Sequence, residues 1–216
     1  MNQPNVRYKS RTPPAPPRRR DQIFQAAIDL FAAKGYHATS MQDIADALGI
    51  QRGSLYHHIE SKEDLLFEIM KSGITKMIEP VEAVMSSPLQ AGAKLDRFIE
   101  AHFDTIASLG SARVLFRELG SLPPARRQKI IADRDHYEGL VRQIIADGVA
   151  SGQFRPVDPK FAGLVVLGVC NWACNWYSPH GPLSRAQIAR IFANLLLRGL
   201  EASRPAESPA GSVRAT

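Results

Sequence analysis

Cysteine is nearly missing from this chain of 216 residues: only Cys170 and Cys174 occur. They stand i, i+4 on an expected helix, poor geometry for a disulfide, so a disulfide-stapled scaffold is excluded. They read as buried packing residues, with a redox sensor as the alternative. The six histidines form no His-x-x-x-His or Cys–His cluster, so neither a metal site nor a cofactor is expected. No apolar run reaches the roughly 18 residues of a spanning helix, and the proline- and arginine-rich start is no secretory signal. A cytoplasmic protein without a membrane partner follows. No G-x-S-x-G elbow or phosphate loop is present, and Asp133, Asp135, His136 and Glu138 read as the solvated face of one helix. An enzyme is not expected.

What is present is an uneven distribution of charge. The formal net charge is only +6, yet residues 1–20 hold six basic residues (Arg7, Lys9, Arg11, Arg18, Arg19, Arg20) and no acid. Residues 18–62 hold six basic and five acidic residues, so most long-range attraction to a polyanion comes from the arm. Pro4, Pro13, Pro14, Pro16 and Pro17 make residues 1–17 an arm expected to be disordered. It either reaches along a phosphate backbone or minor groove, with Arg18, Arg19 and Arg20 as its contacts, or serves as a solubilising tail. Residues 203–216 read as a disordered tail.

The run from Thr39 to Lys62 carries two short helices and a tight turn. Thr39 or Ser40 can cap the first, with Gln42 and Asp43 as capping-box partners. Ile44, Ala45 and Leu48 make its buried face, and Gly49 stops it. Leu55 and Ile59, with Ile50, anchor a second helix expected from Gln51 to His58, and Ala45 is small enough for a steep crossing. Helix, glycine turn and helix form a helix-turn-helix at about 40–59, whose second helix enters the major groove. Its outward residues are Gln51, Arg52, Gly53, Ser54, Tyr56 and His57. Gln and Arg can read base edges, while Ser, Tyr, His and Lys62 suit phosphates, joined by Thr39 and Ser40 at the first helix start.

At this point the chain resembles the TetR family of bacterial transcriptional regulators. The resemblance rests on Ile23, Ala26, Ala27, Leu30 and Phe31, on Lys34-Gly35-Tyr36, Thr39-Ser40, Asp43-Ile44-Ala45 and Leu48-Gly49-Ile50, on Gly53 through His58, and on Ser61 through Leu66. Gln51 departs from it: the family more often has Ser or Thr there to cap the reading helix, and Gln caps poorly. Ile59 replaces a common Phe.

The remainder reads as helix throughout. Ile23 to Phe31 form a first amphipathic helix closed by Gly35, giving a DNA-binding domain at 18–78. Ser61 and Asp64 open a long helix through Ile78, which Pro80 kinks or ends. Further helices are expected at 88–109, 112–119, 124–151, 158–178 and 184–202, forming a second domain at 79–202. The fold class is all-α. Leu164, Leu167, Val169, Ile188, Ile191, Phe192, Leu195, Leu196 and Leu200 exceed what two surface helices need, which points to a homodimer interface about a two-fold axis. Dimeric readers bind pseudo-palindromic double-stranded operators, and the resemblance implies a dimer as well.

Trp172 and Trp176 lie one turn apart with Asn175 beside them. They line a pocket for a small-molecule effector, with Phe103, Phe116, Arg117 and Tyr137, or they are packing residues. The pattern Asn171-Trp172, Trp176-Tyr177, Pro179, Gly181-Pro182-Leu183 resembles the TetR branch governing fatty-acid, sterol or aromatic-acid catabolism, whose effectors are often acyl-CoA thioesters. That branch commonly has Arg at the place of Asn175, so Arg113, Arg117, Arg126, Arg127 or Lys129 would have to meet phosphates. The function expected is a DNA-binding repressor released by such an effector. The alternative is a DNA-binding regulator governed by a protein partner or by nothing.

Overall fold

In this computed structural model the described residues are 19–108 and 110–201. The arm over 1–17, Arg18 and the tail from 203 lie outside them. Among the described residues there are ten α-helices and no strand, only an isolated bridge between Phe154 and Glu201.

Helix α1 (Arg19–Lys34) buries Ile23, Ala27 and Phe31, one face at helical spacing. Helix α2 (Met41–Ala47) starts at the expected capping box: Asp43 N donates to Ser40 Oγ at 3.1 Å and Ser40 N to Asp43 Oδ2 at 2.6 Å. Gly49 then turns the chain at φ 63°, a left-handed conformation glycine enters without a Cβ penalty. Helix α3 (Arg52–Tyr56) is shorter than the expected 51–58. Gln51 contributes no side-chain cap, and the chain leaves the helix at His57 so that Ile59 returns to the core, 5 % exposed.

Helix α4 (Lys62–Met85) runs on through Pro80 rather than breaking there. Proline removes one bond to the carbonyl four residues earlier. That carbonyl belongs to Lys76, and Lys76 and Pro80 are both exposed, so water can replace the missing partner. Helices α5 (Ala91–Ser108), α6 (Ser111–Arg117), α7 (Pro124–Ala150) and α10 (Arg185–Leu200) fall where the periodicity puts them. A 3₁₀ turn, Leu119–Ser121, follows α6. The single helix expected at 158–178 is instead α8 (Pro159–Asn171) and α9 (Ala173–Trp176), interrupted at Trp172. There Asn175 N bonds the Trp172 carbonyl at 3.0 Å, three residues back instead of four, and the winding tightens.

The body is organised around α5, which packs against α4, α7, α8 and α10. Its Leu95, Phe98, Ile99 and Phe103 are all 0 % exposed. Burial of each such side chain contributes about 1.5–3 kcal/mol. After α7 the chain folds back so that the Phe154 ring lies against Gly148. A methyl group at Gly148 would stand 2.1 Å from Phe154 Cδ2.

We expect Gly148→Ala to destabilise the protein. Alanine gains up to about 1 kcal/mol of helix propensity, but overpacking costs about 1–3 kcal/mol and the ring, only 3 % exposed, has nowhere to go. Urea unfolding should show a lower midpoint; an unchanged or raised one contradicts this packing.

Candidate nucleic-acid interface and ligand cavity

Helices α2 and α3 pack on one another; Ala45 and Leu55 are both 0 % exposed, and the other side of α3 faces solvent. Gln51, Arg52, Gly53, Ser54, Tyr56 and His57 are all exposed there, with no acid on α3. Arg52 Nη2 donates to Tyr56 Oη at 3.1 Å, and its guanidinium lies 5.7 Å from the ring centre. Arginine, the group able to read a guanine edge, is thus held one turn from the phenol.

Other residues expected at DNA have structural partners. Thr39 is buried and donates to the Gly35 carbonyl at 2.8 Å. Ser40 is occupied by the cap. Lys62 Nζ donates to the carbonyls of Tyr36 at 3.0 Å and Thr39 at 2.7 Å, above the Tyr36 ring at 4.4 Å. Two of its three N–H bonds therefore shape the loop that enters α2. Arg19 bonds Gln22 at 3.0 Å, and Arg20 pairs with Glu68 at 3.6 Å; Arg18 lies outside the described residues. Asp43 is held low, at about 2, by the Ser40 amide first and then by Lys34, which pairs with it at 2.9 Å.

The corner between α6 and α7 grips both flanks of this unit. Tyr36 N donates to Glu118 Oε1 at 3.3 Å, Ser121 Oγ donates to Glu118 Oε2 at 3.0 Å, and Ser121 Oγ also meets His37 Nε2 at 3.0 Å. Arg126 bonds Asp64, lies 3.3 Å from Glu63 and covers the Phe67 ring at 5.3 Å. The Ser61 hydroxyl first, and Arg126 second, hold the Asp64 carboxyl below its usual range. Arg126 is therefore engaged within the protein and is not available as a phosphate ligand for an effector. Of these contacts only the Ser61–Asp64 cap was visible in the sequence.

A cavity of about 370 Å³ lies among α4, α5, α6, α7 and α8, with Ile74, Met77, Leu115, Phe116, Ile131 and Leu164 among its apolar walls. Its polar lining includes His102, Tyr137, Asn171 and Arg134. His102 Nδ1 is 2.8 Å from Tyr137 Oη and Nε2 is 3.0 Å from Asn171 Oδ1. Burial lowers the imidazole pKa to about 4 and raises that of the Tyr137 phenol.

Of the residues expected in a pocket, Phe116 and Tyr137 line this cavity. Phe103 is in the core, edge-on to Phe192 at 5.6 Å. Arg117 donates to Asn175 at 3.3 Å, both of them exposed. Trp172 is 65 % and Trp176 45 % exposed; neither lines the cavity. The residues expected at a dimer interface also divide. Leu164 and Leu167 border the cavity and Ile188 is buried within the chain, while Ile191 and Leu195 are exposed and Phe192 and Leu196 half-buried. His102 and Asn171 were missed. The available signal was a lone histidine within the apolar stripe Leu95, Phe98, Ile99, Phe103 and Ile106, since a buried polar residue is the informative exception.

A helix-turn-helix reader tied to a helical body with a cavity defines the class: a DNA-binding transcriptional regulator. Residues 23–69 match the family described as bacterial regulatory proteins, tetR family, and residues 88–200 match the tetracyclin repressor-like C-terminal domain. The chain belongs to the TetR family of bacterial transcriptional regulators. It is 29 % identical to the transcriptional repressor KstR2 of Mycolicibacterium smegmatis over 201 residues, 89 % of this chain and 96 % of the relative. The structure of the TetR family regulator PfmR from Thermus thermophilus superposes with a TM-score of 0.77 at 39 % identity, covering 83 % of this chain and 99 % of that one. AibR, solved with isovaleryl coenzyme A and operator DNA, gives 0.76 at 28 % identity, covering 83 % and 98 %.

His102 makes stability depend on pH. Its folded pKa, about 4, is below the ordinary 6.5, so the unfolded chain binds the extra proton and stability falls as pH drops from 6.5 to 4. The loss amounts to about 3 kcal/mol. Asp43 adds its own loss only at lower pH, between 3.8 and about 2. Unfolding measured across the upper window should show this slope in the wild type and not in His102→Gln. Equal slopes contradict a buried neutral imidazole.

Proposed function

We propose that the chain is a homodimeric repressor that binds a pseudo-palindromic operator through α3 and releases it when a small molecule fills the cavity. One observation carries this reading. Leu115 and Phe116 on α6 line the cavity, and Glu118, two residues on, bonds the backbone that enters α2. Helix α4 likewise lines the cavity with Ile74 and Met77 and begins at the turn that holds Lys62 to the reader. A ligand that binds better to a second setting of α4 and α6 draws the reader with it, and only that differential affinity can release DNA.

Dimerisation is supported by the outer face of α8 and α10, where Phe161 is 66 %, Val165 56 % and Leu195 66 % exposed, with Trp172 beyond them at 65 %. Two copies joined there make a four-helix interface and supply two reading helices for two half-sites. Because AibR was solved with isovaleryl coenzyme A, we infer an acyl-CoA or a related lipid or aromatic acid derivative as effector, its acyl part in the cavity. No described helix is long and apolar enough to cross a membrane, and we place the regulator with its operator in the cytoplasm.

The test uses duplexes selected from a random pool by the full-length protein. Arg52→Ala should cost about 1–3 kcal/mol and relax preference at one base, whereas Tyr56→Phe should weaken all duplexes alike. Because the two side chains are bonded at 3.1 Å, the double variant should lose less than the sum. Leu195→Glu should sediment as a monomer and bind only half-sites weakly. Equal, sequence-blind losses from the first two, or a dimer unaffected by the third, contradict the roles assigned.

A further inference from the structure

One side of the cavity is built from neutral hydrogen-bonding groups in series. His102 on α5, 1 % exposed, lies between Tyr137 on α7 and Asn171 at the end of α8. A buried neutral imidazole carries a single N–H, so the series has two orderings. In the one seen, Nε2–H donates to Asn171 Oδ1, the Tyr137 hydroxyl donates to Nδ1, and the Asn171 amide N–H groups are left over. They have no partner among the described residues. In the other, the amide is turned over, Asn171 donates to Nε2, Nδ1–H donates to Tyr137, and the Asn171 carbonyl is left over as an acceptor. The same three side chains therefore offer a donor to a carbonyl or an acceptor to a hydroxyl, with no net charge in either case. A carboxylate in that position would find no charged partner in the series and would cost more to desolvate than a ketone or a hydroxyl.

The cavity has one cation in its lining. Arg134 on α7 is half-buried, lies 5.8 Å from the Phe116 ring centre, and among the described residues has no carboxylate at ion-pair distance. Of the acids that share the lining, Glu138 is 3.3 Å from Arg142, and Asp135 is exposed. The remaining walls are aliphatic and aromatic.

We propose that the cavity takes an amphipathic molecule bearing a neutral oxygen, a ketone or a hydroxyl, on an apolar frame, with Asn171 reading that oxygen and Arg134 holding an anionic end. This rests on the ligand-responsive reading above and narrows it: a fully saturated, unfunctionalised acyl chain is a poor ligand.

Four probes of equal chain length separate these possibilities: decanoic acid, its terminal-hydroxyl derivative, its methyl-ketone counterpart and decanedioic acid. Titrated into the full-length protein by calorimetry, the hydroxyl and ketone acids should bind roughly tenfold more tightly than decanoic acid. Decanedioic acid should bind most weakly. Asn171→Leu should level the first three, and Arg134→Gln should weaken every probe by a similar factor while keeping their order. The wild-type order needs no variant to fold. If decanoic or decanedioic acid binds as tightly as the ketone and hydroxyl acids, or if the order survives Asn171→Leu, the proposal is overturned while the ligand-responsive reading stands. If none of the four binds a protein that still recognises its selected duplex, the proposal is overturned, and the ligand-responsive reading then rests on acyl-CoA thioesters tested in the same titration.

Discussion

Lys62, Glu63 and Asp64 open α4 with a charge of each kind, and the reader and the body are joined by how those charges are answered. A lysine in a first helical turn opposes the helix dipole, and here two carbonyls and the Tyr36 ring offset that cost. In exchange the ammonium fixes the loop on which the Ser40 cap, and so the direction of α2, depends. The two acids suit the helix start, and Arg126 from α7 closes over both. Further down the same helix pair, Lys71 meets Asp133 at 2.6 Å and His136 meets Glu82 at 3.0 Å. Exposed pairs of that kind add little stability, but they hold α4 and α7 in register.

Release of DNA then needs no ligand contact with the reader. Two of the helices whose apolar residues border the cavity also carry the grip at their ends: α6 through Glu118, α4 through its first turn. The cavity itself combines tight and loose features. His102 and Tyr137 are buried and mutually bonded, while Arg134 and Asn171 are half-buried and have capacity to spare. The first pair preorganises the site and the second gives it selectivity.

Local structure is written in local sequence. The Ser40–Asp43 cap, the Gly49 turn and the buried Leu55 follow from residues within a few positions of one another, and the helical spacing of Ile23, Ala27 and Phe31 needs nothing else. Tertiary context overrode the rest. Pro80 is accommodated because it faces water, and Ile59 leaves its helix to fill the core. The grip and the polar series join residues 82, 35 and 69 positions apart, through Glu118, His102 and Asn171 respectively. No spacing rule reaches that far. Trp172 is largely exposed and Trp176 packs on Phe103 and Phe192 outside the cavity; the lone histidine in an apolar stripe is the better guide to the cavity.

The central claim is that occupation of the cavity is felt at the loop before α2 through Glu118. Amide hydrogen exchange of the full-length protein, with and without the tightest-binding acid of the decanoic series at saturation, measures it directly. The account predicts altered exchange at Tyr36 and through α2 in the wild type, and in Glu118→Ala a change confined to the helices that line the cavity. Unaltered exchange at Tyr36 and α2 in the wild type, while α5 and α7 gain protection, would contradict it.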